Sequence, residues 1–226
     1  MTFTARLVNF TFKTIVRILC RIDASQLDKT PTAGPLLLVA NHINFLEVPV
    51  IYTHLMPRPL TAFVKSENWE KPFSRWLFEL WGGIPLHRGE ADMAAIRRGL
   101  AALEAGQILV ISPEGTRSGD GRLQQAHPGI VVMALKSGVP ILPIAYWGSE
   151  DFWRNLPRLR RTDFHIAVGR PFYLDAGGVR VNRQIRQQMA DAILFQIARL
   201  LPPQYRGYYA NLSAASETYL RFISEM

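Results

Sequence analysis

Five consecutive apolar residues, Leu36, Leu37, Leu38, Val39 and Ala40, run straight into Asn41 and His42. A short apolar run without polar alternation reads as a strand buried on both faces, as in the parallel sheet of an α/β fold. Such strands present function at their carboxyl ends, and this one ends in a histidine. Glu47 follows five residues later, ahead of a second apolar stretch, Val48, Pro49, Val50 and Ile51. On one continuous helix, positions i and i+5 stand about 140° apart. His42 and Glu47 therefore meet only if the chain bends between them, with His42 in a turn and Glu47 in a first helical turn. A histidine oriented by a carboxylate is what general-base chemistry needs. The same pair also fits a plain structural role, a histidine at a helix start and a first-turn carboxylate favoured by the helix dipole.

Strand and helix patterns alternate through the rest of the chain, with no internal repeat. Strands are expected over 60–64, 84–86, 107–112, 141–146 and, as the last, 164–168. Helices are expected over 67–81, 92–105, 128–136 and from 181 to the Pro202-Pro203 stop, with a weakly helical tail from 206 onward. This order predicts an α/β sandwich whose largely parallel central sheet is flanked by helices. It occupies residues 23–226, behind a distinct N-terminal segment, residues 1–22.

That segment is apolar but carries Arg6, Lys13, Arg17 and Arg21 and no acid. One central charge costs ~2.5–3.5 kcal/mol on insertion scales, so four argue against a simple span. Their spacing puts them in one stripe, with Leu7, Val8, Phe12, Ile15, Ile18, Leu19 and Ile22 opposite. This predicts an amphipathic helix over 3–22 lying in a membrane interface, basic stripe toward anionic headgroups. A helix packed on the protein's own core is the other reading. The net charge of +8 calls for a polyanionic partner: an anionic membrane, a phosphorylated substrate or a nucleic acid. Aromatic and apolar neighbours of the charges favour lipid over nucleic acid. Cys20 is the single cysteine, so no internal disulfide or cysteine metal site is expected, in keeping with a reducing cytoplasmic setting. The five histidines lack metal-ligand spacing, and no metal is expected.

Cations recur at strand ends: Lys65, Arg88 after His87, and Arg117 in the loop Pro113-Glu114-Gly115-Thr116-Arg117-Ser118. Lys and Arg suit phosphate oxygens, and Gly115 lets backbone N–H groups approach an anion closely. Plainer readings are a surface Arg88 and a turn-stabilising ion pair between Glu114 and Arg117. No G-x-S-x-G is present, which disfavours a serine-nucleophile hydrolase.

Four blocks stand in order: Asn41-His42-x-x-x-x-Glu47, Gly83-Ile84-x-Leu86-x-Arg88, Pro113 to Ser118, and Val139-Pro140-Ile141-Leu142-Pro143. Together they resemble the glycerolipid acyltransferases, above all the bacterial 1-acylglycerol-3-phosphate acyltransferase branch, over roughly residues 36–172. The resemblance implies a glycerol-3-phosphate acyltransferase-like sheet domain seated on the membrane by an N-terminal helical element. It implies His42 as general base and Glu47 as its orienting carboxylate. Asn41, Lys65, Arg88, Glu114, Gly115, Thr116 and Arg117 would bind the acceptor, with Arg88 and the Glu114–Arg117 loop on its phosphate. The expected reaction moves an acyl chain from an acyl-CoA or acyl-carrier-protein thioester to a lysophospholipid hydroxyl, 1-acylglycerol-3-phosphate giving phosphatidic acid. No acyl-enzyme, metal or cofactor is expected, with oxyanion stabilisation from backbone donors near Gly115. The implied location is the cytoplasmic face of the membrane, peripheral or monotopic. Two departures stand out: Glu47 where the family usually has Asp, and His127 where a basic residue is common. The longer carboxylate keeps the chemistry but leaves the acceptor open, another lysolipid or a glycolipid included. A catalytically degenerate membrane-binding protein is the alternative of another class.

Overall fold

The computed structural model describes residues 2–87 and 92–223. Strand β2 (Leu36–Ala40) is wholly buried, with a parallel neighbour on each edge, β5 (Ile108–Ile111) and β6 (Ile141–Trp147). Beyond β5 lie β3 (Leu60–Lys65) and β4 (Ile84–Leu86), also parallel. Beyond β6 the direction reverses: β7 (Thr162–Val168) runs antiparallel to it, and β1 (Cys20–Asp23) lies parallel to β7 at the sheet's edge. The largely parallel sheet and its flanking helices are as expected. The carboxyl ends of β2 to β6 share one edge, and the loops that follow them meet there.

Alternation along β2 divides the core into two layers. Leu37 and Val39 pack with α4 (Met93–Glu104), α5 (Gly129–Ser137) and α7 (Arg183–Leu200). Leu36, Leu38 and Ala40 pack with α1 (Phe3–Leu19), α2 (Glu47–His54) and α3 (Pro72–Leu80).

Several boundaries differ from the sequence reading. The first helix stops at Leu19, not 22, because Cys20 is extended and enters the sheet opposite Thr162. The division expected after residue 22 therefore falls inside β1. The helix expected over 67–81 is a 3₁₀ turn, Ser66–Trp69, followed by α3. Pro72 lacks an N–H and suits a helix's first turn, so it restarts the helix there. Residues 164–168 are not the last strand: β8 (Phe172–Leu174) and β9 (Leu220–Phe222) follow, paired antiparallel. Three residues are too few for alternation to register. The tail is a series of 3₁₀ turns ahead of β9 rather than a helix.

The apolar residues of α1 serve two sides. Val8, Phe12, Val16 and Leu19 pack on the core, whereas Phe3, Leu7, Phe10, Ile15 and Ile18 are exposed. No helix among the described residues is long and apolar enough to cross a membrane. The buried Asn9 pins α1 to the body, since its Oδ1 accepts from the Trp81 indole N–H at 2.8 Å. Trp81 in turn stacks on Tyr52 of α2. Asn9→Ala should leave that indole N–H buried and unpaired, lowering stability by about 1–3 kcal/mol. A denaturant midpoint equal to wild type would mean that α1 is not docked this way.

Candidate active site

Where β2 and β6 part, the Asn41 amide replaces the ladder. Its Nδ2 donates to the Tyr146 carbonyl at 2.9 Å and its Oδ1 accepts from the Tyr146 N–H at 2.7 Å. This buried amide, expected to meet substrate, is engaged with the sheet and fixes the point where His42 emerges.

The chain then bends. Asn44 Oδ1 accepts from the Leu46 N–H at 2.8 Å, closing an Asx turn, and α2 starts at Glu47. His42 Nδ1 lies 2.9 Å from Glu47 Oε2. An ionised carboxylate only accepts, so Nδ1 carries a proton, and in the neutral imidazole the lone pair is then on Nε2. The imidazole is 18% exposed, its partner nearly buried. Glu47 has further donors: the Asn44 N–H, 3.2 Å from each carboxylate oxygen, and Ser149 Oγ, 3.2 Å from Oε1. Asn44 Nδ2 donates to the Ser149 carbonyl at 2.8 Å, so the 42–44 turn and the segment after β6 converge on one carboxylate.

Ser149 follows β6 through Gly148, whose φ is +92°. A Cβ there would come 2.5 Å from the Asp163 carbonyl oxygen, so glycine alone makes this turn. Sequence reasoning missed both Asn44 and Ser149. The available signals were an Asn inside the His-x-x-x-x-Glu block and a Gly-Ser pair ending the next strand at the same edge.

Glu114 is 1% exposed. Its Oε1 accepts from the His42 main-chain N–H at 2.9 Å and its Oε2 from that of Gln124 at 2.8 Å. It is therefore a clamp between loops: neither a phosphate contact nor an ion-pair partner of Arg117. Main-chain bonds add to the clamp, from Ser118 N–H to the His42 carbonyl (2.8 Å) and from Gly119 N–H to that of Ile43 (3.1 Å). Gly115 has φ +69° and a Cβ there would strike the His127 ring at 2.7 Å. Its N–H donates to the Ser112 carbonyl at 3.1 Å, so Gly115 itself is not a free oxyanion donor. The N–H groups of Thr116 and Arg117 have no hydrogen-bond partner among the described residues, and both residues are exposed. Arg117 Nε sits 3.4 Å from His42 Nε2, so a cation stands beside the free lone pair.

Lys65 ends β3 at the same edge but pairs with Glu67 at 2.8 Å, and no hydrogen bond or ion pair links it to His42. Arg88 lies outside the described residues. Its neighbour His87 binds Asp92, the N-cap of α4, through both its N–H and Nδ1 at 3.0 Å. Among the described residues no group of three or more His, Cys, Asp or Glu is placed to hold a metal ion.

Burial pushes the Glu114 carboxyl from its ordinary 4.5 up to about 7, against the pull of the two N–H donors and with help from the Glu47 and Asp120 charges. The unfolded chain releases this proton near 4.5 and the folded chain near 7. Between those values the folded state binds more protons, so rising pH favours unfolding. Glu114→Gln has no such proton. Wild type should lose on the order of 3 kcal/mol relative to this variant across that window, read from denaturant curves at several pH values. Parallel pH profiles would overturn the assignment.

Comparison with known proteins bears on the family and the fold. Residues 21–147 match the acyltransferase family, a span holding His42, Glu47 and the whole Glu114–Arg117 loop. A lyso-ornithine lipid O-acyltransferase of Pseudomonas aeruginosa is 32% identical over 155 residues, 61% of this chain and 59% of that protein. A chloroplastic 1-acyl-sn-glycerol-3-phosphate acyltransferase of Arabidopsis thaliana is 32% identical over 179 residues, 76% and 49% of the two chains. The chain spans about half the length of the curated relatives it matches. In fold it resembles the crystal structure of the 1-acyl-sn-glycerophosphate (LPA) acyltransferase PlsC from Thermotoga maritima, with a TM-score of 0.61. That likeness covers 87% of this chain and 79% of the other at 21% identity. Matched over more than half of its residues, the chain belongs to the acyltransferase family.

Proposed function

We propose that this protein moves a fatty acyl chain from a thioester to the hydroxyl of a lysophospholipid, foremost 1-acylglycerol-3-phosphate, giving phosphatidic acid. The observation that carries this reading is the 2.9 Å His42–Glu47 pair, which in the neutral imidazole turns the lone pair to Nε2, beside Arg117. His42 Nε2 takes the hydroxyl proton as that oxygen attacks the thioester carbonyl. Glu47 holds the tautomer and stabilises the imidazolium. The N–H groups of Thr116 and Arg117 are suited to the oxyanion. The tetrahedral intermediate expels a thiolate, which recovers the proton from His42, so no acyl-enzyme forms. Arg117, with Lys65 at the end of β3 and with Arg88, serves the acceptor's phosphate. The donor is a thioester of CoA or of an acyl carrier protein. One relative is named for a lyso-ornithine lipid, which supports a second acceptor class, a lysolipid without phosphate.

Purified protein given a panel of lysolipids and acyl thioesters, with products read by mass spectrometry, tests the reaction and its acceptor. His42→Ala should lower turnover by ~10²–10⁴-fold while the melting curve stays in place. Glu47→Gln should also fall strongly, and the double variant should be little worse than His42→Ala because the two act as one unit. A folded His42→Ala protein turning over at the wild-type rate would refute the mechanism.

The substrate is a membrane lipid, and the exposed Phe3, Leu7 and Phe10 with Arg6 beside them support α1 as the membrane seat, on the cytoplasmic face. Removing residues 1–22 would also delete most of β1, so substitution is the cleaner probe. Leu7→Ser with Phe10→Ser should reduce co-sedimentation with phosphatidylglycerol-containing vesicles by about tenfold or more. Both side chains face solvent, so the melting temperature should hold. Undiminished co-sedimentation would remove α1 from this role.

A further inference from the structure

The segment from Phe152 to Arg161 takes no part in the proposed chemistry. It comprises the short helix α6 (Phe152–Asn155), a 3₁₀ turn (Leu156–Arg158) and Leu159 at that turn's end. Leu159 has φ +51°, the single positive φ outside glycine among the described residues, and it is 95% exposed. Glycine or asparagine takes this backbone conformation more easily. A bare leucine held there has no packing partner among the described residues to account for it. Trp153 is 64% exposed, its ring 5.5 Å from Phe45 and 5.1 Å from Phe152. Phe45 lies between His42 and Glu47, so an aromatic strip runs from the site to this segment.

Cations surround these apolar side chains. Arg154, Arg158 and Arg160 are exposed. Arg154 pairs with Asp151 at 2.8 Å, an exposed pair that exchanges readily, and Arg158 Nη1 donates to the Arg154 carbonyl. Arg158 and Arg160 have no acidic partner among the described residues. Arg161 faces the other way and donates to the carbonyls of Arg17 and Cys20, both at 2.6 Å. It straps the segment to the end of α1, where Ile15 and Ile18 are exposed.

We propose that residues 152–161 form a second bilayer-docking element, with Leu159 and Trp153 entering the headgroup–acyl boundary and Arg158 and Arg160 resting on anionic headgroups. This rests on the reading of α1 as a membrane seat and of a lysolipid as acceptor. Strapped to α1 and joined to the site by Phe45, the segment brings the strand edge that carries His42 down to the lipid. A nucleic acid would use the arginines but not an aliphatic tip. A protein groove that took the leucine would have to supply acids for the arginines. A bilayer with anionic lipid satisfies both at once.

The test is a Leu159→Cys protein carrying an environment-sensitive dye; Cys20 is fully buried and stays unlabelled. Vesicles of phosphatidylcholine with phosphatidylglycerol should blue-shift the dye, and phosphatidylcholine alone should do so less. Arg158→Ala with Arg160→Ala should weaken vesicle binding by about fivefold per arginine. Leu159→Ser should slow acylation of a lysolipid held in vesicles and leave the rate on detergent-dispersed lysolipid unchanged. No spectral change with vesicles, whether or not the protein sediments with them, overturns the proposal. So does a shift produced by duplex DNA instead, or an equal loss of both rates. If wild type acylates no lysolipid in either form, the proposed reaction fails, and the dye alone decides the docking.

Discussion

A carboxylate with almost no access to water organises the working edge of this protein. Glu114 accepts the first N–H of the His42 turn and the N–H of Gln124, the one hydrogen bond that each of these donors makes among the described residues. Buried N–H groups must be paired, so this one side chain ties the two loops together, with the main-chain bonds of Ser118 and Gly119 beside it. His42 then inherits its place from the main chain and its orientation from Glu47. Because Glu47 is itself held by Asn44 and Ser149, hydrogen bonds fix the orientation of the imidazole. Fixed groups reorganise little as charge develops, which is where such sites gain rate.

The sequence made the scaffold of this site plain and hid its wiring. An uninterrupted aliphatic run such as Leu36–Ala40 has one comfortable environment, the middle of a parallel sheet, and the structure puts it there. The bend that lets His42 reach Glu47 was equally legible, since a spacing of five excludes a common helix face. The roles of polar side chains were not. An asparagine amide binds a backbone as readily as a ligand, and the partner of Asn41 lies 105 residues away. Ser149 is 102 residues from the carboxylate it contacts. Glu114 was legible as special but not as buried, because its loop sequence is polar throughout. Only the fold brings Gln124 and His42 to its two oxygens.

The N-terminal helix shows a different limit. Its basic stripe and apolar remainder suggested a choice between lying on lipid and packing on protein. The structure divides the apolar residues instead, Val8, Phe12 and Val16 inward and Leu7, Phe10 and Ile15 outward. Hydrophobic periodicity reports how many side chains avoid water, and it is silent on how many surfaces they avoid it against.

The junction of α1 with β1 has a geometric consequence. Cys20 follows Leu19 directly into the sheet, and the helix is pinned near its start by Asn9 on Trp81 and at its end by Arg161. The pins at Asn9 and Cys20 are eleven positions apart, about three helical turns, so both lie on nearly the same side. Gaining or losing one residue between them would rotate the outward face by about 100° against the sheet, whereas a change of seven would rotate it by only about 20°. The phase of this helix is therefore locked to the body of the protein. Substitution along its outward face leaves that phase untouched, but its length can drift only in steps of about two turns.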